Sequence, residues 1–145
     1  MVKEAFNSFA NCYVRKIVNY PRSAYLHIPF CHRRCFYCDF PVIPLGDKAR
    51  GDNGPGSSSI KSYLKLLYRE ISLVSQFAPL ATVYIGGGTP SLLTPKQVSD
   101  LLDYLDNHFG IQYGAEITLE IDPASFSKKE LLGYVEAGIN RVSLG

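Results

Sequence analysis

Residues 81–110 read ATVYIGGGTPSLLTPKQVSDLLDYLDNHFG. Ala81-Thr82-Val83-Tyr84-Ile85 is rich in β-branched and aromatic residues and predicts a strand. Gly86-Gly87-Gly88-Thr89-Pro90-Ser91 predicts the turn that ends it. A helix start follows. Thr94 can cap it, Pro95 suits the first turn, and Gln97 completes a capping box. Val98, Leu101, Leu102 and Leu105 fall on one helical face, and Gly110 predicts the stop. The stretch is one strand–loop–helix unit.

The same order repeats on both sides. Downstream, residues 115–121 predict a strand ended by Asp122-Pro123. Ser127 and Glu130 form a second capping box, Gly138 closes that helix, and another strand begins near Asn140. Upstream, Ile60, Tyr63, Leu64, Leu67, Ile71 and Val74 repeat at helical spacing and predict a helix from about 60 to 77. Residues 24–30 predict a strand ending near Pro29. Between these two, residues 44–59 predict a flexible loop, too rich in Gly and Ser to pack.

Repeated βα units imply an α/β fold with a parallel sheet and right-handed crossovers. Such a sheet needs both faces covered or closure into a barrel. Three units and a fourth strand do not close one. The sequence therefore predicts a partial βα-barrel, divided as an N-terminal extension (1–24) and a truncated core domain (25–145). No internal sequence repeat is evident.

Composition narrows the function. The 145 residues are 46% hydrophobic and 19% charged, as in an ordinary globular protein. The formal charge is +2, from 15 Lys plus Arg against 13 Asp plus Glu, so no nucleic-acid partner is implied. No apolar run approaches the roughly 20 residues of a membrane span. The basic first 24 residues, with Lys3, Arg15, Lys16 and Arg22, read as an extension rather than the remnant of a transit peptide.

The cysteines are Cys12, Cys31, Cys35 and Cys38. Three crowd into eight residues with no secretory signal before them, which favours a metal site in a reduced compartment over a disulfide framework. Soft thiolates suit iron–sulfur clusters, zinc or copper. Structural zinc wants four closed ligands, and here a fourth is not obvious. A 4Fe–4S cubane held by three thiolates, with one open iron, suits this spacing, and zinc is the alternative. In βα folds functional groups gather in loops after the strands' carboxyl ends. The cysteines, the glycine turn and Glu120 all belong to that rim. Glu120 sits among Ile117, Leu119 and Ile121, where an acid is costly unless paired or exposed.

CxxxCxxC with Tyr37 before the last cysteine resembles the signature of the radical S-adenosylmethionine superfamily. Within it, Tyr25-Leu-His-Ile-Pro-Phe-Cys31, Gly86-Gly-Gly-Thr-Pro-Ser91, Leu119-Glu-Ile-Asp-Pro123 and Gly138-Ile-Asn-Arg-Val-Ser-Leu-Gly145 resemble one group. It comprises the oxygen-independent coproporphyrinogen III oxidases and the HemW-type haem chaperones. The oxidase branch extends its motif to CxxxCxxCxC, whereas this chain has Cys38-Asp39-Phe40, which resembles the HemW branch. The Gly/Ser insertion after Pro44 is similar to that of plant members, which are organellar.

The resemblance implies that Cys31, Cys35 and Cys38 bind three irons of the cluster and that S-adenosylmethionine chelates the fourth. It places Tyr25, Tyr37, Gly87, Gly88, Thr89 and Glu120 against that cofactor. Without it, the glycines read equally as a plain turn, Tyr25 as core and Glu120 as an exposed rim position. In the oxidase branch a 5′-deoxyadenosyl radical decarboxylates coproporphyrinogen. The chaperone branch implies haem in the full-length protein. Implied partners are an electron donor such as a flavodoxin or ferredoxin, haem or porphyrinogen, and haem-accepting proteins. The compartment is cytoplasmic, or mitochondrial or plastid if the chain is eukaryotic. The other candidates read more plainly: His27 as a satisfied core histidine, His32 as facing solvent, His108 as meeting the helix dipole or water, and Cys12 as a free thiol. Lys128 and Lys129 read as a solvated helix start. Arg141 reads either as a cofactor contact or as a brace within the barrel.

Overall fold

The computed structural model describes residues 21–75, 78–123 and 125–145. Cys12 and most of the N-terminal extension lie outside the described residues. The chain runs β1 (Ser23–Ile28), β2 (Phe30–Cys31), β3 (Ile43–Pro44), α1 (Ser57–Leu73), β4 (Leu80–Gly87), a 3-10 turn (Pro90–Leu92), α2 (Pro95–Phe109), β5 (Ile111–Ile121), α3 (Lys128–Glu136) and β6 (Arg141–Leu144). The main sheet has the order β1-β4-β5-β6, and every pairing in it is parallel. Successive βα units thus lie side by side, the arrangement of an open, partial βα-barrel.

Period-two alternation gives the sheet two unlike faces. Leu26 and Ile28, Val83 and Ile85, and Ile117 and Leu119 are buried. They share one core with Ile60, Leu64 and Leu67 of α1 and with Val98, Leu101, Leu102 and Leu105 of α2. The opposite face carries Ser23, Tyr25 and His27, Thr82 and Tyr84, Glu116, Thr118 and Glu120, then Arg141 and Ser143. Some of these groups link across the strands, as Thr82 Oγ1 does to Ser23 Oγ at 2.7 Å, whereas the buried Thr118 hydroxyl has no partner.

Both capping boxes form. Thr94 and Gln97 exchange side-chain and backbone hydrogen bonds at the start of α2, and Ser127 and Glu130 do so at the start of α3. Hydrogen bonding to Ser127 holds the Glu130 carboxyl below its usual range. Each box satisfies backbone N–H groups that a helix start leaves without partners.

Residues 44–59 are a mostly exposed irregular segment up to α1, and it is anchored to the core at Ala49 and Gly51. Ala49 is fully buried, Gln97 Nε2 donates to the Gly51 carbonyl at 2.8 Å, and α1 already begins at Ser57. A Cβ on Gly51 would meet Gln97 Oε1 and lie 2.9 Å from the Leu92 carbonyl oxygen, so this glycine serves a close approach. α1 also ends earlier than predicted, at Leu73, leaving Val74 exposed.

Leu119 is fully buried on β5, between β4 and β6. Leu119→Ala is expected to destabilise the protein by about 2–5 kcal/mol in denaturant unfolding. A loss below about 1 kcal/mol would contradict a buried helix-facing side of the sheet.

Candidate functional site

The site forms where β1, β4 and β5 end. Pro29 ends β1, and Phe30–Cys31 pairs in parallel with Ile43–Pro44. That short ladder continues as Leu45 N to Cys31 O at 2.9 Å and Gly46 N to His32 O at 3.0 Å. On its other side the cysteine loop is tied to the glycine turn. Gly88 N donates to Ile28 O at 2.8 Å, and Thr89 N donates to Phe30 O at 2.6 Å. Arg33 pairs with Asp47 through both of its ends. The guanidinium holds the Asp47 carboxyl below its usual range.

These ties leave a cleft of about 560 Å³. Cys31, Cys35, Cys38, Tyr37, Gly87, Gly88, Thr89 and Glu120 all line it. Of the site residues read from the sequence, the structure brings all but Tyr25 to this cleft. A separate groove of about 310 Å³ runs between β1 and α1 and takes in Tyr25. Its walls include Leu67, Ile71, Leu105 and Phe109, and it holds none of the cysteines.

The three cysteines are free thiols, with Cys35 exposed and the other two half-buried. Burial pushes the Cys31 thiol up, while a hydrogen bond from Thr89 pulls it down and the neighbouring Cys38 and Cys35 raise it further. Hydrogen bonding to Cys35 raises the Tyr37 phenol. Among the described residues, no three Cys, His, Asp or Glu converge as a single metal ion requires. A cubane needs no such convergence, because each thiolate takes a different iron. Three soft donors on a loop braced from both sides therefore fit a cluster better than a closed zinc site.

The glycine turn is more tightly constrained than the sequence indicates. A Cβ on Gly88 would lie 2.6 Å from the Phe30 carbonyl oxygen and 2.8 Å from Cys31 Sγ. A Cβ on Gly87, whose φ is 123°, would lie 2.8 Å from the His27 ring and the Ile28 carbonyl oxygen. These glycines are required by the protein's own packing against the cysteine loop, whatever else approaches them.

Glu120 is neither isolated nor merely exposed. Gly87 N donates to its Oε2 at 2.9 Å, and Tyr84 Oη donates to its Oε1 at 2.7 Å. That second bond raises the Tyr84 phenol, against the Ser143 hydroxyl, which lowers it. Tyr25 is 56% exposed and stacks on Tyr84 with centroids 5.9 Å apart, so the core reading of Tyr25 fails. Burial and the Glu120 charge both raise its phenol.

Of the three histidine readings, that of His27 changes. His27 is half-buried and stacks on Phe40. Its Nδ1 lies 3.3 Å from Tyr25 Oη, but its buried Nε2 has no partner, so it is not a satisfied histidine. His32 is half-buried in the cleft wall, 3.4 Å from Arg50 Nη1. His108 lies in the last turn of α2, and its Nε2 lies 2.9 Å from the Val74 carbonyl oxygen. Arg141 braces the sheet, with Nη1 2.7 Å from Glu116 Oε1 on the neighbouring strand. Lys128 and Lys129 are exposed, as read. The sequence reading missed Tyr84. Its period-two register with Gly86 on β4 was the available signal.

Comparison with known proteins bears on the family and the fold. The sequence model of the Radical SAM superfamily matches residues 25–145. A protein named heme chaperone HemW from Synechocystis is 45% identical over 126 residues, covering 86% of this chain and 30% of that protein. HemW of Escherichia coli is 34% identical over 125 residues, covering 86% and 32%. HemW of Mycobacterium tuberculosis is 38% identical over 128 residues, covering 86% and 31%. Among solved structures, the coproporphyrinogen III oxidase HemN of Escherichia coli, a radical SAM enzyme, superposes with a TM-score of 0.74. It is 29% identical and covers 93% of this chain and 30% of that one. The chain spans about a third of the length of these relatives.

Gly88→Ala is expected to destabilise the protein by about 1–3 kcal/mol, since the methyl must displace the Phe30 carbonyl or the Cys31 thiol. It is also expected to lower the iron bound per chain after anaerobic reconstitution. Wild-type stability and iron loading together would show that the loop yields freely.

Proposed function

The chain belongs to the radical SAM superfamily, and from that premise we propose that its cleft holds a 4Fe–4S cluster and S-adenosylmethionine in a haem chaperone of HemW type. The observation that carries this reading is the meeting of the three thiols, the glycine turn and Glu120 in one cleft. Cys31, Cys35 and Cys38 would hold the cluster. Once bound, the cluster and S-adenosylmethionine supply one-electron chemistry that side chains alone lack.

The chain's own residues supply the setting. Gly87 and Gly88 hold the backbone close against the cysteine loop, and that backbone lines the cleft where a ligand would lie. The Glu120 carboxylate faces the cleft for the ligand's polar groups. Tyr37 sits beside the thiols, 74% exposed, as an aromatic wall. Thr89 and the half-buried setting of Cys31 tune the sulfur environment. Exposed Cys35 and Phe36 give an electron donor of flavodoxin or ferredoxin kind a short path to the cluster.

Phe40 favours the chaperone over the oxidase. It takes the position where the oxidase branch has a further cysteine, and it stacks on His27 with centroids 6.3 Å apart. The haem, and the haem-accepting proteins that would receive it, belong to this proposal for the full-length protein. The likeness to HemN keeps the oxidase as the rival reading, with coproporphyrinogen as substrate.

Anaerobic reconstitution of the full-length protein with iron and sulfide is expected to give a brown product with a visible charge-transfer band. Serine at Cys31, Cys35 or Cys38 is expected to abolish that band. The reconstituted protein is expected to bind haem and to leave coproporphyrinogen unchanged. Turnover of coproporphyrinogen would overturn the chaperone reading, and a colourless zinc-loaded product would overturn both.

A further inference from the structure

Tyr84 is not itself part of the cleft wall, yet it touches the group that faces the cleft. Its ring lies on the polar face of β4 and stacks on Tyr25 of β1, with planes inclined by 24°. Its hydroxyl donates to Glu120 Oε1 of β5. One side chain therefore links three neighbouring strands just below the rim.

The approach depends on Gly86. Tyr84 and Gly86 are two apart on β4 and share its polar face. A Cβ on Gly86 would fall 2.7 Å from Tyr84 Cε1 and 3.1 Å from the Glu120 carboxyl carbon. A side chain there would occupy the gap through which the tyrosine reaches the acid.

Glu120 is thereby fixed at both oxygens, by Gly87 N on one and by Tyr84 Oη on the other. An ionised carboxylate has about four acceptor sites. Two are taken by the protein, and two are left for donors in the cleft. Without the tyrosine hydroxyl, only the Gly87 bond would hold the carboxylate, and it could turn about that bond. Holding a binding group in one orientation before the ligand arrives reduces the ordering cost of binding.

We propose that Tyr84 is a positioning residue: its hydroxyl, reaching through the gap at Gly86, orients the Glu120 carboxylate and so sets the affinity of the cleft for S-adenosylmethionine. This rests on the reading of the cleft as the S-adenosylmethionine site. Tyr84 acts through Glu120 and contacts no ligand itself. Tyr84→Phe removes only the hydroxyl and keeps the ring on Tyr25.

The test uses the full-length, anaerobically reconstituted protein and measures S-adenosylmethionine binding directly. Tyr84→Phe is expected to weaken binding about three- to tenfold, the cost of ordering one freed side chain when the ligand binds. Iron content should stay at the wild-type value, and the thermal midpoint should fall by no more than about a few degrees. At saturating S-adenosylmethionine, the EPR signal of the reduced cluster is expected to change shape, which a purely structural role would not produce. On a Glu120→Gln background, where the acceptor has lost its charge, Tyr84→Phe is expected to change binding by less than about twofold, the non-additivity of groups acting together. Unchanged binding by Tyr84→Phe, additive effects in the double variant, or loss of the cluster along with binding would each overturn the positioning role. If the wild-type protein takes up the cluster but does not bind S-adenosylmethionine, the reading of the cleft itself falls, and this role with it.

Discussion

At the carboxyl end of β4, three consecutive positions leave no room for a Cβ. Gly86 faces the Tyr84–Glu120 contact, Gly87 faces the His27 ring and the Ile28 carbonyl, and Gly88 faces the Phe30 carbonyl and Cys31 Sγ. The strand can therefore lie directly under the cysteine loop and bond to it through Gly88 N and Thr89 N. Were this end of β4 lifted by even one methyl, the loop would lose its inner support and Glu120 would lose the Gly87 N–H. The thiols and the carboxylate reach one cleft because this part of the chain has backbone and little else. A single tight contact, repeated three times, sets the geometry of both halves of the site.

The helices position that rim from below. Buried Leu and Ile side chains of α1 and α2 clamp one face of the sheet. Burial of that face contributes most of the stability, since each large apolar side chain removed from water stabilises by about 1.5–3 kcal/mol. The caps then fix where each helix begins. Tyr134 of α3 is fully buried and donates to the carbonyls of Ser91 and Leu93. This ties the third unit to the turn that follows the glycines. Ser91 Oγ in turn lies 2.6 Å from Ser125 Oγ, beyond the end of β5. The loops after β4 and β5 are thus braced against each other as well as against the cysteine loop.

What was legible in the sequence was local. Val98, Leu101, Leu102 and Leu105 were read from spacing alone, and all four are buried. Both capping boxes were read from residues three apart. The cysteine, glycine and Glu120 positions were legible as one rim because strand order fixes which loops share an end. What was not legible depended on contacts distant in sequence. Gly51 looks like a linker residue until Gln97, forty-six positions away, lies on it. Residues 43–46 look like loop until they pair with the backbone from Pro29 to His32. His27 reads as a satisfied histidine, because nothing local shows that its Nε2 will be buried without a partner.

The polar face of the sheet shows how stability and positioning divide. Arg141 and Glu116 form an ion pair whose side chains are 58% and 49% exposed. Water screens such a pair, and it contributes about 0–1 kcal/mol. The Tyr84–Glu120 bond is partly buried, where hydrogen bonds are stronger and an unpaired carboxylate costs more. Neither contact is needed to bury the helix-facing side, which alternation alone turns toward α1 and α2. The polar links act across strands, where they limit how far one side chain can turn relative to the next. The apolar face accordingly determines whether the sheet forms, and the polar face determines where its carboxylate points.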